Sequence, residues 1–494
     1  MAERSVTLHT VGEVLRSAGL LTETRGAGDI AVLGVCQDSR KVCAGDLFLA
    51  WAGTATDAHD FVGQAAQSGA AAAVVEHPVD AEIPQLVVSD GRKAAAIAAD
   101  HVMGSPWRGM HTVGITGTNG KSTTAILTRH LLEQRGPAAA VGTLGVIDAN
   151  GVRPGTEGLT TPGPVEVSVW LWELANGGVQ AVVMEASSHA LEQRRLDGMR
   201  FDVGVFTNLT QDHLDYHQDV ASYFGAKARL VGLVSPTGTL VVNQNESAWN
   251  ELDSEGRTVR TFSVDRDADV RATDVTLGRE GSSFTLKVDD AEAQVHLPLL
   301  GAYNVENALA AAAVAACSGL SVDDIAEGLR TAPQVAGRLE LVKRSPFKVV
   351  IDFAHTPDAL DGALAAVRPL TEGRLIVVFG AGGDRDRSKR RPMSEAVRRH
   401  ADEVFLTSDN PRTEDPELIL DDLAEGLEGS AYTRIADRRE AIRRALATAT
   451  AGDTVVLAGK GHETYQVVGL EKLPFDERAI VREFLRMGKL EGDS

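Results

Sequence analysis

The stretch G-I-T-G-T-N-G-K-S-T, from Gly114 to Thr123, fits the pattern G-x-x-x-x-G-K-S/T, and the apolar run Thr112 to Ile115 at its head reads as a buried strand. Behind it, Lys121 to Leu132 reads as a helix with Ile126, Leu127 and Leu131 on one face. Strand, glycine-rich turn and helix in that order make a phosphate-binding loop; a ligand-free glycine turn is the plainer alternative. Gly114, Gly117 and Gly120 let the chain turn tightly and aim backbone N–H groups at phosphate oxygens, with the positive end of the helix in support. Thr116, Thr118, Asn119 and Thr123 complete the expected nucleotide contacts. In this reading Lys121 reaches the terminal phosphates of a nucleoside triphosphate and Ser122 ligates Mg2+.

Outward from the loop, 494 residues suggest about three domains, each large enough for its own core. With 69 acidic against 49 basic side chains the formal charge is -20, which argues against a nucleic-acid surface and leaves anionic ligands to local basic groups. Cys36, Cys43 and Cys317 lack metal-ligand spacing, and no signal-peptide pattern opens the chain, so a reduced, cytoplasmic protein is expected. No apolar run approaches the ~20 residues of a membrane span, so no membrane partner is expected.

Three α/β segments follow one another: 1–105, 106–336 and 337–494. The first ends at His101 to Pro106, where M-G-S-P-W-R reads as a linker. Helix-like Phe61 to Gln67 and the short apolar runs Ala72 to Val75 and Gln85 to Val88 give it a modest mixed sheet. The second adds strands at Gln180 to Met184, Asp202 to Phe206 and Thr239 to Val242, the parallel pattern of a mononucleotide-binding domain. The third places strands at Lys348 to Asp352, Leu375 to Phe379, Glu403 to Leu406 and Thr454 to Leu457, a doubly wound, Rossmann-like sheet.

Polar clusters stand where these strands end, which is where open α/β sheets bind ligands. Glu185 opens E-A-S-S-H-A-L at one strand end, where a carboxylate can hold magnesium. T-N-L-T-Q-D-H-L-D-Y-H packs Asp212, His213, Asp215 and His217 into six positions. That cluster admits a zinc site, a solvated loop, or a magnesium and phosphate site. No cysteine or third histidine lies near, and magnesium among phosphates prefers oxygen ligands with at most one imidazole.

G-T-N-G-K-S, M-E-A-S-S-H-A-L, T-N-L-T-Q-D-H-L-D-Y-H, G-A-Y-N-V-E-N (Gly301 to Asn307) and D-F-A-H-T-P-D (Asp352 to Asp358) stand in an order and spacing that resembles the ATP-dependent Mur ligases of peptidoglycan synthesis. D-S-R (Asp38 to Arg40), L-T-T-P (Leu159 to Pro162), G-G-D-R-D (Gly382 to Asp386), D-N-P-R (Asp409 to Arg412) and G-K-G-H-E (Gly459 to Glu463) are similar to those of its diamino-acid-adding members. Phe353 replaces a common tyrosine and Ala381 a frequent cysteine.

The resemblance implies three domains: a small UDP-binding one, a central phosphate-loop one and a C-terminal amino-acid-binding one. It implies that a carboxylate of UDP-MurNAc-L-Ala-D-Glu takes the γ-phosphoryl group of ATP and that the acyl phosphate is attacked by an amine. Lys121, Glu185, His213 and Lys227 would be catalytic, with Ser122 and Glu185 on one magnesium and His213 and a carbamylated Lys227 on another. Asn304, Asn307, Arg338 and Asp352 would join the nucleotide contacts; Ser39, Thr54, Ala55, Thr56, Thr160, Thr161, Ser187, Gln193 and Arg195 would meet the UDP-sugar peptide. Taken singly, each serine or threonine could equally be a cap or turn.

The amino acid would meet Arg385, Asp409, Asn410, Pro411, Arg412, Gly459 and Glu463. meso-Diaminopimelate carries a distal carboxylate that an arginine fork suits, whereas L-lysine would set an ammonium against that cation. A monomer is expected. A lysine-adding ligase, a folylpolyglutamate synthetase and a non-ligating nucleotide switch are the alternatives. The last has no use for a third sheet, and the synthetase none for a separate first domain of about a hundred residues.

Overall fold

The computed structural model describes residues 6–26, 29–53, 56–155, 158–210 and 214–492. Cα packing divides the chain into two compact units: Met1–Arg271 with Lys287–Glu292 and Asn307–Ile325, and Ala272–Leu286 with Ala293–Glu306 and Ala326–Ser494.

In the first unit, Ala72–Val75 and Gln85–Val88 form strands at the expected residues. They lie in a five-stranded sheet, parallel except for Leu21–Arg25, which runs antiparallel to Gln85–Val88. This is the mixed sheet read from the sequence. The expected helix over Phe61 to Gln67 splits into a 3-10 turn, Ala58–Phe61, and a helix, Val62–Gln67.

The strand ahead of the phosphate loop, His111–Thr116, sits between Ala181–Glu185 and Phe201–Phe206 and pairs parallel with both. Ala138–Gly142 and Val234–Asn243 extend this parallel set on either side. Val113, Ile115, Val182, Val183 and Val205 are fully buried. Strands covered on both faces read as continuous apolar runs, which is why their positions show in the sequence. Gly114 is forced by space: a Cβ there would stand 3.0 Å from Leu230 and Phe201.

The second unit holds a six-stranded sheet in the order Glu340–Lys343, Lys348–Asp352, Thr454–Ala458, Leu375–Phe379, Glu403–Leu406, Tyr432–Arg434. All its neighbours are parallel except the first pair. Helices Pro357–Val367 and Arg390–His400 pack apolar faces into one core; Arg438–Thr448 and Glu477–Gly492 belong with the other. Two buried side-chain sets, one per face, make the sheet doubly wound. Strands Val270–Gly278, Gly281–Val288 and Ala291–Leu297 were not picked out by the sequence reading.

The linker has its own fastening. Helix Gly91–Val102 ends just before it, and Ser105 adopts a left-handed φ of 50°. Ser105 Oγ donates to the buried Asp100 carboxylate at 2.7 Å. Burial pushes the Asp100 pKa up to about 6. Its folded pKa therefore exceeds the unfolded value, and the folded chain holds the proton more tightly. The resulting stabilisation is complete below about pH 4 and is lost as pH rises through about 6. Thermal denaturation of Asp100→Asn between pH 4 and 7 should lack this component. The native protein should lose more stability than the variant over that range, and parallel curves would remove the assignment.

Candidate active site

Helix Lys121–Leu132 begins where the sequence placed it, capped by Gly120 at φ 84° without a side-chain bond. The first turn of a helix leaves its N–H groups without intrahelical acceptors, and here no cap side chain takes them. Gly117 turns at φ 145°, and a Cβ on it would collide with Thr207. The next strand's end locks the loop in place. Thr118 and Asn119 donate their backbone N–H groups to Asn208, each at 2.8 Å, and Thr207 Oγ1 donates to the Asn119 carbonyl at 2.8 Å. Asn307 accepts from Thr124 at 3.3 Å, and its amide lies where a side chain on Gly120 would be.

Two lysines converge on this loop. Lys121 Nζ donates to the Gly117 carbonyl at 2.9 Å and to the Thr118 carbonyl at 2.8 Å. Lys227, from helix Val220–Leu233 and only 1% exposed, donates to the same Gly117 carbonyl at 2.8 Å. Its ammonium also stands 4.3 Å over the Tyr223 ring, whose hydroxyl meets Thr118 Oγ1 at 3.1 Å. Concentrated positive charge at the head of a helix suits a polyphosphate.

Glu185 ends its strand 3% exposed and accepts the Thr143 N–H at 2.9 Å and the Thr143 hydroxyl at 3.2 Å. Its carboxylate and Ser122 line one small cavity with Gly142, where a Cβ would strike the Glu185 carboxylate. Among the described residues no group of three or more His, Cys, Asp or Glu side chains could hold a metal. One carboxylate and one hydroxyl beside phosphates and water are what magnesium ordinarily takes, so the residues fit it. Asp212, His213 and the side chain of Asp215 lie outside the described residues. His217 is buried and committed elsewhere, to Ser188 at 3.0 Å and Glu192 at 3.1 Å.

Five of the residues expected to meet the sugar peptide form one hydrogen-bonded group. Thr161 Oγ1 donates to the Glu185 carbonyl at 2.7 Å and accepts the Ser187 N–H at 3.0 Å; Thr160 accepts from Thr143 at 3.2 Å. Arg195 donates to the Thr161 carbonyl at 2.8 Å and to Gln193 at 2.7 Å, and burial lowers its pKa. Ser39 bonds Gln64 at 3.0 Å, while its neighbour Gln37 donates to Glu166 at 3.0 Å, joining the D-S-R turn to the helix after Pro162. Arg40 grips Asp38 through two bonds of 2.9 Å and holds that carboxyl down at about 2. Thr56 is exposed, and Thr54 and Ala55 lie outside the described residues.

In the second unit, Arg338 lies over the Phe353 ring at 5.0 Å. Asp352 accepts N–H groups from Leu339 at 2.7 Å and Ala354 at 2.8 Å, and its burial raises its pKa against the pull of Arg338. Asn304 holds the Leu300 carbonyl at 2.8 Å.

The amino-acid motifs D-N-P-R and G-K-G-H-E, 50 residues apart, meet side by side. Asn410 Nδ2 donates to Glu463 at 3.0 Å, and Arg412 Nη1 donates to the Gly383 carbonyl of G-G-D-R-D at 2.8 Å. Gly383 N–H returns a bond to the Asn410 carbonyl at 2.9 Å, and Pro411 is buried between them in sequence. Arg385 is exposed. Gly459, at φ 117°, leaves room for Asp409 Oδ2, a buried oxygen with no hydrogen-bond partner among the described residues.

Sequence reasoning missed three buried cations here. Arg390 donates to Glu414 through bonds of 2.7 Å and to Asp422 at 2.8 Å, holding Glu414 at about 2. Arg438 binds Glu477 at 2.7 Å and the Ser408 and Ala458 carbonyls, the backbone leading into D-N-P-R and G-K-G-H-E. Lys460 is wholly buried. No spacing rule marks the two arginines; Lys460 is the lysine of G-K-G-H-E, where the residue type gives no sign of burial.

Three family models match: the family's catalytic domain over residues 32–109, the Mur ligase middle domain over 115–315 and its glutamate ligase domain over 337–461. The chain is 43% identical to a UDP-N-acetylmuramoyl-L-alanyl-D-glutamate--2,6-diaminopimelate ligase of Geobacter sulfurreducens, covering 91% of this chain and 94% of that one. It is 42% identical to the protein of that name in Gloeobacter violaceus, covering 97% and 99%. A solved structure of a ligase with that name aligns at a TM-score of 0.72 and 32% identity, covering 98% of this chain and 99% of the other.

Proposed function

Because the chain belongs to the Mur ligase family, we propose that it joins 2,6-diaminopimelate, as the meso isomer, to UDP-MurNAc-L-Ala-D-Glu at the expense of ATP. It is a ligase that forms a carbon–nitrogen bond in peptidoglycan precursor synthesis. The observation that carries the reading is the convergence of Lys121 and Lys227 on the Gly117 carbonyl at the head of the loop helix.

The chemistry runs in two displacements. A carboxylate oxygen of the D-Glu residue attacks the γ-phosphorus, and ADP leaves. The amine of diaminopimelate then attacks the acyl carbon and inorganic phosphate leaves with the electron pair. The first step brings two anions together, so positive charge and fixed placement dominate its barrier. Lys121 and the helix N–H groups hold the transferring phosphoryl group. Ser122 and Glu185 would hold one magnesium and His213 with a carbamylated Lys227 a second; magnesium there would supply charge neutralisation between the phosphates.

Two ammonium groups on one carbonyl repel each other. If the Lys227 ammonium gives up a proton, the neutral amine adds carbon dioxide and a second proton leaves; the resulting carbamate turns that repulsion into attraction and would give a metal an oxygen ligand. Thr160, Thr161, Ser187, Gln193 and Arg195 with Ser39 would position the sugar peptide. Asn304, Asn307, Arg338 and Asp352 would meet the nucleotide. Arg385, Asp409 to Arg412, Gly459 and Glu463 would receive the amino acid. Three domains, 1–105, 106–336 and 337–494, acting as a cytoplasmic monomer, complete the proposal. No helix among the described residues is long and apolar enough to cross a membrane.

ADP release measured with each substrate omitted in turn tests the reading. Release should require both UDP-MurNAc-L-Ala-D-Glu and a diamino acid, with meso-diaminopimelate far ahead of L-lysine; release without the sugar peptide, or equal use of lysine, rejects it. Lys121→Ala should keep its fold and lose on the order of a thousandfold in turnover. Near-normal turnover would reject the phosphate-loop assignment.

Buffer stripped of carbon dioxide should slow ligation by the native enzyme, and bicarbonate should restore it. A rate indifferent to bicarbonate would remove the carbamate.

A further inference from the structure

The Lys460 side chain is 0% exposed, although an ammonium is costly to bury unless its donors are matched. Its partners are specific. Nζ donates to Asn410 Oδ1 at 2.9 Å and to Glu463 Oε2 at 2.7 Å. Asn410 Oδ1 accepts the Val467 N–H at 2.9 Å as well, so two donors fix the amide with its nitrogen turned to Glu463. Glu463 Oε2 is thereby tied twice, while the Glu463 side chain stays partly exposed.

The charges around Asn410 come out even. Asp409 and Glu463 supply two carboxylates; Arg412 and Lys460 supply two cations, with Arg385 exposed to solvent screening. The adjoining Arg438 and Glu477 pair adds one charge of each sign. Without Lys460 the first set would carry a net negative charge in buried surroundings, where a point charge acts strongly. Such a site would welcome a bare ammonium. A balanced one favours an amino acid whose far end is a zwitterion.

We propose that Lys460 is a specificity-determining positioning residue: it fixes Asn410 and Glu463 as receptors for the far end of the amino acid, and its charge disfavours L-lysine against diaminopimelate. This rests on the diaminopimelate ligase reading. The backbone motif would survive a neutral side chain at 460; the discrimination would not.

The test measures kcat/KM for meso-diaminopimelate and for L-lysine in the native enzyme, in Lys460→Met, and in Lys460→Gln, which keeps a donor for Asn410 without the charge. Circular dichroism checks the fold of each, and Lys460→Gln serves if the methionine variant does not fold. In the neutral variants the KM for diaminopimelate should rise and the diaminopimelate-to-lysine ratio should fall by at least about tenfold. The KM for ATP should stay within about twofold, because the phosphate loop lies in the other compact unit and the Lys460 partners, Asn410 and Glu463, are not among the proposed nucleotide contacts. A purely structural lysine would depress both amino acids together; a ratio unchanged from the native value therefore overturns the inference. A native enzyme that uses lysine as well as diaminopimelate overturns the functional reading itself, and this inference with it.

Discussion

Parallel pairing is the constraint from which both sites follow. When neighbouring strands run the same way, their carboxyl ends come out along one edge, and the loops that leave them are neighbours whatever their distance in sequence. The register makes this literal: Ile115 faces Glu185 and Thr116 faces Phe206, so Gly117, Ala186 and Thr207 start three adjacent loops. Lysine, carboxylate and hydroxyls from chain positions 121, 185 and 207 are thereby gathered without any local motif joining them. In the second unit Asp352 faces Ala458 and Phe379 faces Leu406, which sets the 353, 380, 407 and 459 loops along one edge.

The sequence was most legible where physics leaves one choice. Lys348–Asp352, Leu375–Phe379, Glu403–Leu406 and helix Lys121–Leu132 begin and end where hydrophobic runs and the glycine-rich turn placed them. Ala138–Gly142 escaped because A-A-A-V-G holds a single branched residue, Val141, among alanines and a glycine, although all five are buried. Val270–Gly278 escaped because its pattern alternates buried and exposed positions imperfectly and carries several polar residues.

Of the site, the loop glycines and strand-end motifs were readable because each residue type has few other uses in that arrangement. The buried cations were not. A lysine or arginine is by default a surface residue, and only the fold reveals that Arg390, Arg438 and Lys460 have their carboxylates waiting. Arg390 holds the helix after G-G-D-R-D to Glu414 just beyond D-N-P-R; Arg438 holds two strand ends; Lys460 joins two motifs. Charged hydrogen bonds thus tie together the motifs of the proposed amino-acid site, and such groups become visible only as pairs.

Arg412 is one of the few side-chain-bearing residues with a left-handed backbone, at φ 53°, and it is pinned there by bonds from its own N–H to Val467 and from Gly469 to its carbonyl. Backbone of that kind costs roughly 1–3 kcal/mol for a residue with a Cβ, and glycine or asparagine would relieve most of it. Mutational drift at this position therefore runs downhill in folding free energy while discarding the cation. The fold thus holds an unfavourable backbone at the one position of D-N-P-R that carries a cation, where the guanidinium also closes onto the Gly383 carbonyl.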